Sequence, residues 1–354
     1  MILPGGDSES IAIAARAIRT GSLIGLPTET VYGLAADADN PAAVAKIFAA
    51  KGRPSDHPLI VHVADASGVA HFASQVPDFA QALIAAFWPG PLTLILPRKE
   101  GVAAASAGGQ NSIGLRCPSH PVAQAVLKAL MKPLRQAQGE RVGSVVWGLA
   151  APSANQFGRV SPTTAAHVAG EFGGDLLILD GGACDVGIES TIIDCTRGQP
   201  ILLRPGGISR AQIEAVCGQL VLSNEELTSD VPRGPKASGT LESHYAPNAK
   251  LRLMDAKALQ AALDLLGTDM DAQKEGVRPA DAVIAIYSRA ILHTASAKIL
   301  RRRMPDDAAA TAQQLFAVLR DFDVQGVKLI WVETPPDAPD WDGVRDRLTR
   351  ASAG

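Results

Sequence analysis

The 354-residue sequence lacks several of the patterns by which enzymes and membrane proteins are commonly identified. It contains no G-x-x-x-x-G-K-[ST] phosphate loop, no H-E-x-x-H zinc motif and no G-x-S-x-G nucleophile turn. These absences exclude a P-loop nucleotide site and argue against the corresponding zinc and serine hydrolases. No apolar run approaches the ~18 residues that are needed to span a bilayer, so we expect no membrane association.

Cysteine is scarce, and its spacing argues against a metal site. The four cysteines are Cys117, Cys184, Cys195 and Cys217, and no two of them form a C-x-x-C pair. We interpret them as buried thiols in a reducing cytosol. The N-terminal residues have neither the basic region nor the apolar region of a secretory signal. A cytoplasmic protein is therefore expected.

Neither sign of charge is in large excess. The 33 Lys and Arg residues nearly balance 36 Asp and Glu residues, for a formal net charge of −3. Bulk charge therefore gives no argument for nucleic acid, and a tRNA-binding face would have to be a local basic patch. Aromatic residues make up only 4% of the chain, but a hydrophobic content of 47% suffices for packed cores. The length predicts about two domains.

The order of strand and helix patterns predicts an α/β protein in three segments. Over residues 1–217 the two patterns mix without strict alternation, which favours a twisted, mixed sheet over a Rossmann fold. Residues 223–248 lose every apolar period and predict a linker. Beyond it, strands and helices alternate as in a small parallel α/β domain. The predicted strands are 251–254, 283–287 and 327–331, and the predicted helices are 257–266, 308–322 and 341–350. We therefore predict domains at 1–217 and 249–354, with a linker or lid at 218–248.

One stretch, residues 27–63, predicts a site for an anion. Asn40-Pro41 is a strong helix start, and Gly52 ends that helix. Lys51 and Arg53 are thereby held at a stiff corner, close to a strand at 58–63 and to the hydroxyl groups of Thr28 and Thr30. The simpler alternative is that both cations only compensate the negative end of the helix dipole.

Two further segments carry expectations of their own. Ser161-Pro162 predicts a helix with Ser161 as N-cap, and a helix N-terminus is also a suitable seat for phosphate. The polar residues 132–141 show no buried face and predict a passive, exposed loop insertion.

Five motifs in a fixed order carry a family resemblance. They are PTETVYGL (27–34), KGRPSDHPLIVHV (51–63), SIGLRCPSHP (112–121), APSAN (151–155) and GIESTIID (187–194). With them the chain resembles the YrdC/Sua5 family, the threonylcarbamoyl-AMP synthases, over roughly residues 8–217. The block after HYAP (244–247) is similar to the longer, two-domain Sua5 branch. The resemblance implies a YrdC-like first domain and a Rossmann-like second domain.

The resemblance also implies a reaction. The family makes threonylcarbamoyl-AMP and pyrophosphate from ATP, L-threonine and bicarbonate or CO2, as a nucleotidyltransferase, for the t6A modification of tRNA next to the anticodon. Mg2+ is expected to arrive with ATP rather than in a protein carboxylate cage. A downstream threonylcarbamoyl-transferase complex is the implied partner, and tRNA a further one. The sequence fits this chemistry because it offers hydroxyls, amides and cations without an activated covalent nucleophile.

The family's roles, carried onto matching positions, divide the site into two parts. Threonine would be held by Thr30, His62, Arg116, the backbone of Ala151, and Ser190. ATP would be held by Lys51, Arg53, His57, Ser112, Ser153, Asn155, Ser161, Arg204 and Tyr245. Lys51 and Arg53 would be the catalytic cations, and no residue is expected to bind a metal directly. His57 stands where many relatives have asparagine. Residues 238–247 would close over the nucleotide as a lid.

Two other function classes remain open at this point. A non-catalytic module that binds double-stranded RNA or tRNA could share the fold, but it would need a basic face rather than the hydroxyl set. A carbamoyl-transfer maturation factor would resemble the first domain, but such proteins add zinc-finger-like cysteine pairs, which this sequence lacks.

Overall fold

The computed structural model describes residues 1–135, 141–142, 145–224, 226–227, 234–240, 244–270, 284–290, 292–294 and 299–354. The chain forms two compact units. The first comprises Met1–Phe157 and Ser161–Thr240, and the second comprises Gly158–Val160 and Leu241–Gly354. The predicted domain boundaries at residues 217 and 248 remain a prediction. Residues 234–240, which lie in the predicted linker, group with the first unit. None of the described helices is long and apolar enough to cross a membrane.

The first unit contains most of the secondary structure. Its strands are β1 (Ile2–Pro4), β2 (Ile24–Leu26), β3 (Gly33–Asp37), β4 (Ile60–His62), β5 (Leu92–Pro97), β6 (Ser112–Arg116), β7 (Leu134–Arg135), β8 (Arg141–Val142), β9 (Leu149–Ala150), β10 (Leu177–Asp180), β11 (Thr191–Asp194), β12 (Ile201–Arg204) and β13 (Leu222–Ser223). Its helices are α1 (Ser8–Arg19), α2 (Pro41–Lys51), α3 (Ala66–Phe72), α4 (Asp78–Phe87), α5 (Pro121–Met131), α6 (Ala165–Phe172) and α7 (Arg210–Cys217).

Eleven of these strands form one sheet in the order β1-β10-β2-β3-β9-β4-β6-β5-β11-β12-β13. The sheet is mixed, as predicted: β4 runs parallel to β6 and antiparallel to β9. In this register His62 lies opposite Arg116 on one side and Leu149 on the other. The central strands therefore bring the KGRPSDHPLIVHV, SIGLRCPSHP and APSAN motifs to one region of the sheet.

Helix α2 confirms the local signals that predicted it. The Asn40 side chain accepts a hydrogen bond from Ala43 N, Pro41 occupies the first turn, and Gly52 ends the helix in the left-handed conformation with φ 61°. A left-handed residue has no Cβ penalty when it is glycine. The corner that follows is thus fixed by the backbone, and Lys51 and Arg53 on it are both buried.

The second unit is a four-stranded parallel sheet in the order β14-β17-β15-β16, flanked by helices. Its strands are β14 (Lys250–Met254), β15 (Ile284–Ser288), β16 (Ile299–Arg303) and β17 (Leu329–Glu333). Its helices are α8 (Ala256–Met270), α9 (Ala308–Val324) and α10 (Asp342–Ser352), with a short 3-10 turn at Pro339–Trp341. The predicted parallel α/β domain is confirmed. Val283, the first residue of one predicted strand, lies outside the described residues, and β16 was not predicted.

Two local predictions are wrong. The helix after the Ser161-Pro162 pair begins three residues later, and its N-cap is Thr164, whose side chain accepts from His167 N. Ser161 cannot serve as the cap because it is fully buried and its hydroxyl donates to Glu189. Residues 132–141 are not simply a loop, since β7 and β8 pair antiparallel within that stretch. Residues 136–140 lie outside the described part of the chain.

Candidate active site

Arg116 is the centre of the first half of the site. It is the last residue of β6, and its side chain is only 4% exposed. Its Nη1 donates to Thr30 Oγ1 at 2.7 Å, and its Nε donates to the Gly90 carbonyl at 3.2 Å. Thr30 is held in turn by Thr28, whose hydroxyl lies 2.9 Å from the Thr30 hydroxyl. The structure therefore brings two of the predicted threonine-binding residues into direct contact.

The buried carboxylate of Glu29 completes this arrangement. Its Oε1 lies 2.7 Å from Arg116 Nη2. Burial by itself would raise the pKa of Glu29, but the Arg116 guanidinium outweighs burial and lowers that pKa. Glu29 is consequently ionised at neutral pH. Sequence reasoning missed it, because its partner lies 87 residues away along the chain and the motif alone gives no sign of a buried charge pair.

His62 is neutral at physiological pH. It is buried, and burial together with the Arg116 cation lowers its pKa to about 3. Its Nδ1 is buried without a hydrogen-bond partner among the described residues. Ala151 lies on the neighbouring chain segment, where its N–H donates to the Ile60 carbonyl at 3.0 Å. His62 therefore presents a neutral imidazole beside the cation of Arg116.

Ser190 connects the first half of the site to Arg204. Its hydroxyl lies 2.7 Å from that of Thr93, a second residue that sequence reasoning missed. Arg204 donates from Nε and Nη2 to the Ser190 carbonyl at 3.1 and 2.9 Å. A Cβ on Gly206 would lie 2.4 Å from Thr191 N and 2.7 Å from the Ser190 carbonyl carbon. Only glycine at 206 permits this close approach of the backbone to Ser190 and Thr191.

Lys51 is the central residue of the second half of the site. Its Nζ donates to the Ser153 carbonyl at 2.6 Å and to the Asn155 carbonyl. Burial, and then the neighbouring Arg53 cation, lowers the pKa of Lys51 to about 7. The corner after α2 and the APSAN motif are thus joined through one amine.

Arg53 and His57 lie on the same corner as Lys51. Arg53 donates from Nη2 to the Pro58 carbonyl at 3.0 Å, and its guanidinium carbon lies 5.8 Å from the centre of the Phe157 ring. His57 meets the edge of the same ring, with centroids 5.6 Å apart. Partial burial and the Arg53 charge lower the pKa of His57. Phe157 therefore orders both residues, a role that its position in the sequence did not reveal.

A small, partly open pocket lies beside this corner in the first unit. Its walls combine apolar side chains with Ser112, Gln110 and the segment 236–238. Several hydrogen bonds hold that segment in place, among them Lys236 N to Gln110 Oε1 at 2.8 Å and Arg204 Nη1 to the Ser238 carbonyl at 2.9 Å. Ser112 and Arg204, two predicted ATP-binding residues, thus lie around the part of the linker that the structure describes.

Two predicted ATP-binding residues have other surroundings. Ser161 is buried, and its hydroxyl donates to the Glu189 carboxylate, a residue to which sequence reasoning gave no role. Tyr245 belongs to the second unit, where it is 1% exposed, its ring centre lies 5.4 Å from that of Phe316, and the Arg347 guanidinium lies 5.2 Å above it. The ATP role of Tyr245 stays a prediction. Among the described residues no cluster of three or more His, Cys, Asp or Glu side chains could hold a metal.

Comparison with known proteins identifies the family. The Sua5/YciO/YrdC family model, described as telomere recombination, matches residues 16–206, and the model described as the C-terminal domain of threonylcarbamoyl-AMP synthase matches residues 208–353. This chain belongs to the two-domain Sua5 family. A threonylcarbamoyl-AMP synthase of Bacillus subtilis is 37% identical over 98% of this chain and 94% of its own length. One of Pyrococcus abyssi is 36% identical over 97% of this chain and 94% of its own length.

Solved structures of this family have the same fold. The crystal structure of P. abyssi Sua5 complexed with L-threonine superposes with a TM-score of 0.80 at 35% identity, covering 97% of this chain and 94% of that one. Another P. abyssi Sua5 structure, of a doubly substituted variant, gives a TM-score of 0.82 at 33% identity, covering 99% and 96% of the two chains. The two-unit architecture is therefore a property of the family.

Proposed function

We propose that this chain is an L-threonylcarbamoyladenylate synthase, a nucleotidyltransferase that uses ATP, L-threonine and bicarbonate or CO2. Relatives with this name match along almost the whole chain, and one of them has been solved with L-threonine. The observation that carries the proposal is the Arg116 guanidinium, buried beside the hydroxyl of Thr30 and the neutral His62. Such a planar, charged donor suits a carboxylate.

The two halves of the site suit the two larger substrates. Arg116, Thr30, His62, Ser190 and the Ala151 backbone would hold threonine. Arg53 and Arg204 contact Pro58 and Ser238 in the wall of the pocket that Ser112 lines, and Lys51 lies on the same corner as Arg53; cations of this kind neutralise phosphate charge. Ser153 and Asn155, whose carbonyls accept from Lys51, would complete the ATP side together with His57, Ser161 and Tyr245.

The reaction needs no nucleophile from the protein. The threonine amine forms a bond to the carbon of CO2 and loses a proton, which gives a carbamate. A carbamate oxygen then forms a bond to the α-phosphorus of ATP, and the bond between that phosphorus and the bridging oxygen breaks. Pyrophosphate leaves with that electron pair. The protein's part is to align the three reactants and to stabilise charge on the phosphates, through Lys51 and Arg53 above all.

Magnesium would enter as part of the ATP substrate. Since the described residues contain no carboxylate cluster for it, phosphate oxygens and water would supply most of its ligands. The product would be consumed by a threonylcarbamoyl-transferase complex that modifies tRNA. Neither alternative class gains support: no observation favours a non-catalytic RNA-binding module, and the cysteine pairs of a carbamoyl-transfer maturation factor are absent from the sequence.

The test is pyrophosphate release with each substrate omitted in turn. We expect pyrophosphate only when ATP, L-threonine and bicarbonate are all present. Serine should react less well, because one missing methyl group is worth ~1–3 kcal/mol in an apolar niche. Pyrophosphate release at a similar rate without threonine would contradict the proposal.

A further inference from the structure

The ion pair between Arg116 and Glu29 bears on which carboxylates can bind at Arg116. A lone buried guanidinium would attract any carboxylate, whereas here a buried carboxylate already lies 2.7 Å from one of its terminal nitrogens. Both side chains are almost completely buried, with 4% and 6% exposure, so water screens neither charge effectively. The pair is therefore close to neutral as a unit before any substrate arrives.

Arg116 can still accept a ligand. A guanidinium has five N–H donors. Arg116 donates hydrogen bonds to the Gly90 carbonyl and to Thr30 Oγ1, while its Nη2 is ion-paired with Glu29 and makes no hydrogen bond to any described residue, so N–H donors remain for a ligand. A substrate carboxylate on these donors would lie close to the Glu29 carboxylate. An anion that carries no positive charge would therefore be attracted by Arg116 and repelled by Glu29 at the same position.

We propose that Glu29 is a specificity-determining residue that makes this pocket select a zwitterionic amino acid over a simple carboxylate. The inference rests on the proposed function, because it takes threonine as the ligand of Arg116. The α-ammonium group of an amino acid is bonded to the carbon next to its carboxylate. It can therefore face Glu29 while the carboxylate faces Arg116, so that each charge has a partner. The ionised state of Glu29, favoured by Arg116, supplies the negative charge that this selection requires.

A purely structural role for Glu29 predicts something different. If the carboxylate only holds Arg116 in position, its removal weakens every carboxylate ligand in parallel. If it selects the zwitterion, its removal weakens threonine but strengthens an analogue that lacks the ammonium group. Glu29→Gln separates the two roles, since the amide keeps the size of the side chain and an oxygen beside Arg116 while the negative charge is gone.

The experiment measures calorimetric affinities of L-threonine and of (R)-3-hydroxybutanoate, the analogue without the amino group, for the full chain. In the unmodified protein we expect threonine to bind about ten- to a hundredfold more tightly, the range of one charged hydrogen bond. In Glu29→Gln this preference should fall by about tenfold or more, with tighter binding of the analogue. Glu333→Gln is the matched control, because Glu333 is also a buried carboxylate paired with an arginine, at 2.6 Å from Arg289, and lies in the second unit. It should leave the preference unchanged.

Each outcome decides between distinct possibilities. Equal affinities of the two ligands for the unmodified protein would overturn the inference without any variant, so the test does not depend on whether Glu29→Gln folds. A parallel loss of both ligands in Glu29→Gln would assign Glu29 a positioning role only and also overturn it. If threonine does not bind the unmodified protein at all, the proposed function fails instead, and this result is distinguishable from the other two.

Discussion

Lys51 is expected to take up a proton when ATP binds above neutral pH, and the reason lies in how its amine is buried. Nζ donates to two carbonyls, those of Ser153 and Asn155, and the pKa of Lys51 is lowered from 10.5 to about 7. A neutral amine has two N–H groups, which match these two acceptors. A phosphate oxygen would engage the third N–H of the ammonium form and so favour protonation.

The size and the sign of the effect follow from the shift. At 1.36 kcal/mol per pKa unit, a shift from 10.5 to about 7 corresponds to a folding cost on the order of 5 kcal/mol. Because the folded pKa is depressed, this cost is present in full below about pH 7, shrinks as the pH rises towards 10.5, and vanishes above it. A ligand that needs the charged amine should bind about tenfold more weakly at about pH 8 than below pH 7, since the charged fraction falls tenfold per unit.

The assay is calorimetric titration with Mg-ATP at about pH 6 and about pH 8, in buffers that differ in ionisation enthalpy. The dependence of the heat on the buffer gives the number of protons taken up, which we expect to be close to one at the higher pH and small at the lower. Lys51→Arg is the control, because arginine stays charged and should abolish the uptake. The threonine affinity should not change over this range, since the pKa of His62 is about 3. No proton uptake at about pH 8, or the same uptake in Lys51→Arg, would refute this reasoning.

Three further predictions concern other parts of the site. Arg116→Ala should weaken threonine binding by about tenfold or more and leave ATP affinity nearly intact, whereas Lys51→Ala should do the reverse; equal losses for both ligands in calorimetry would argue against two separate halves. Gly206→Ala should lower the free energy of unfolding by about 1–3 kcal/mol, because its Cβ would lie 2.4 Å from Thr191 N, while the control Gly170→Ala, whose Cβ would meet no described atom outside its own helix within 4 Å, should not lower it. If residues 238–247 form a lid, ATP together with threonine should slow amide hydrogen exchange there, and unchanged exchange would contradict the lid.

Signals confined to a few neighbouring residues were sufficient to predict several elements from the sequence. Helix α2 has its N-cap, its proline and its terminal glycine within one short stretch, and the helix predicted at 308–322 is α9, which begins at the predicted residue. The family motifs likewise point to the right region of the sheet, because β4, β6 and β9 are adjacent.

Features that depend on distant residues could not be predicted in this way. Glu29 gains its role only from Arg116, and Ser161 loses its expected capping role because Glu189 takes up its hydroxyl. Strand β16 was missed for a related reason. Its last three residues, 301–303, are exposed arginines at the edge of the sheet, so the strand lacks an alternating apolar pattern and is defined only by its pairing with β15.

The two halves of the site differ in how rigidly they are built, and this bears on substrate binding. The proposed threonine side rests on strand ends, since Arg116 is the last residue of β6, His62 is the last residue of β4 and Ser190 precedes β11. The ATP side rests on a helix corner, on the APSAN turn and on the segment 236–238, whose Ser238 carbonyl occupies Arg204 Nη1 at 2.9 Å. A phosphate group that takes the N–H now donated to this carbonyl must displace it, whereas Arg116 Nη2 makes no hydrogen bond to a described residue that a carboxylate would have to displace. Threonine should therefore bind the free protein with little rearrangement, and ATP binding should be the step that moves the linker.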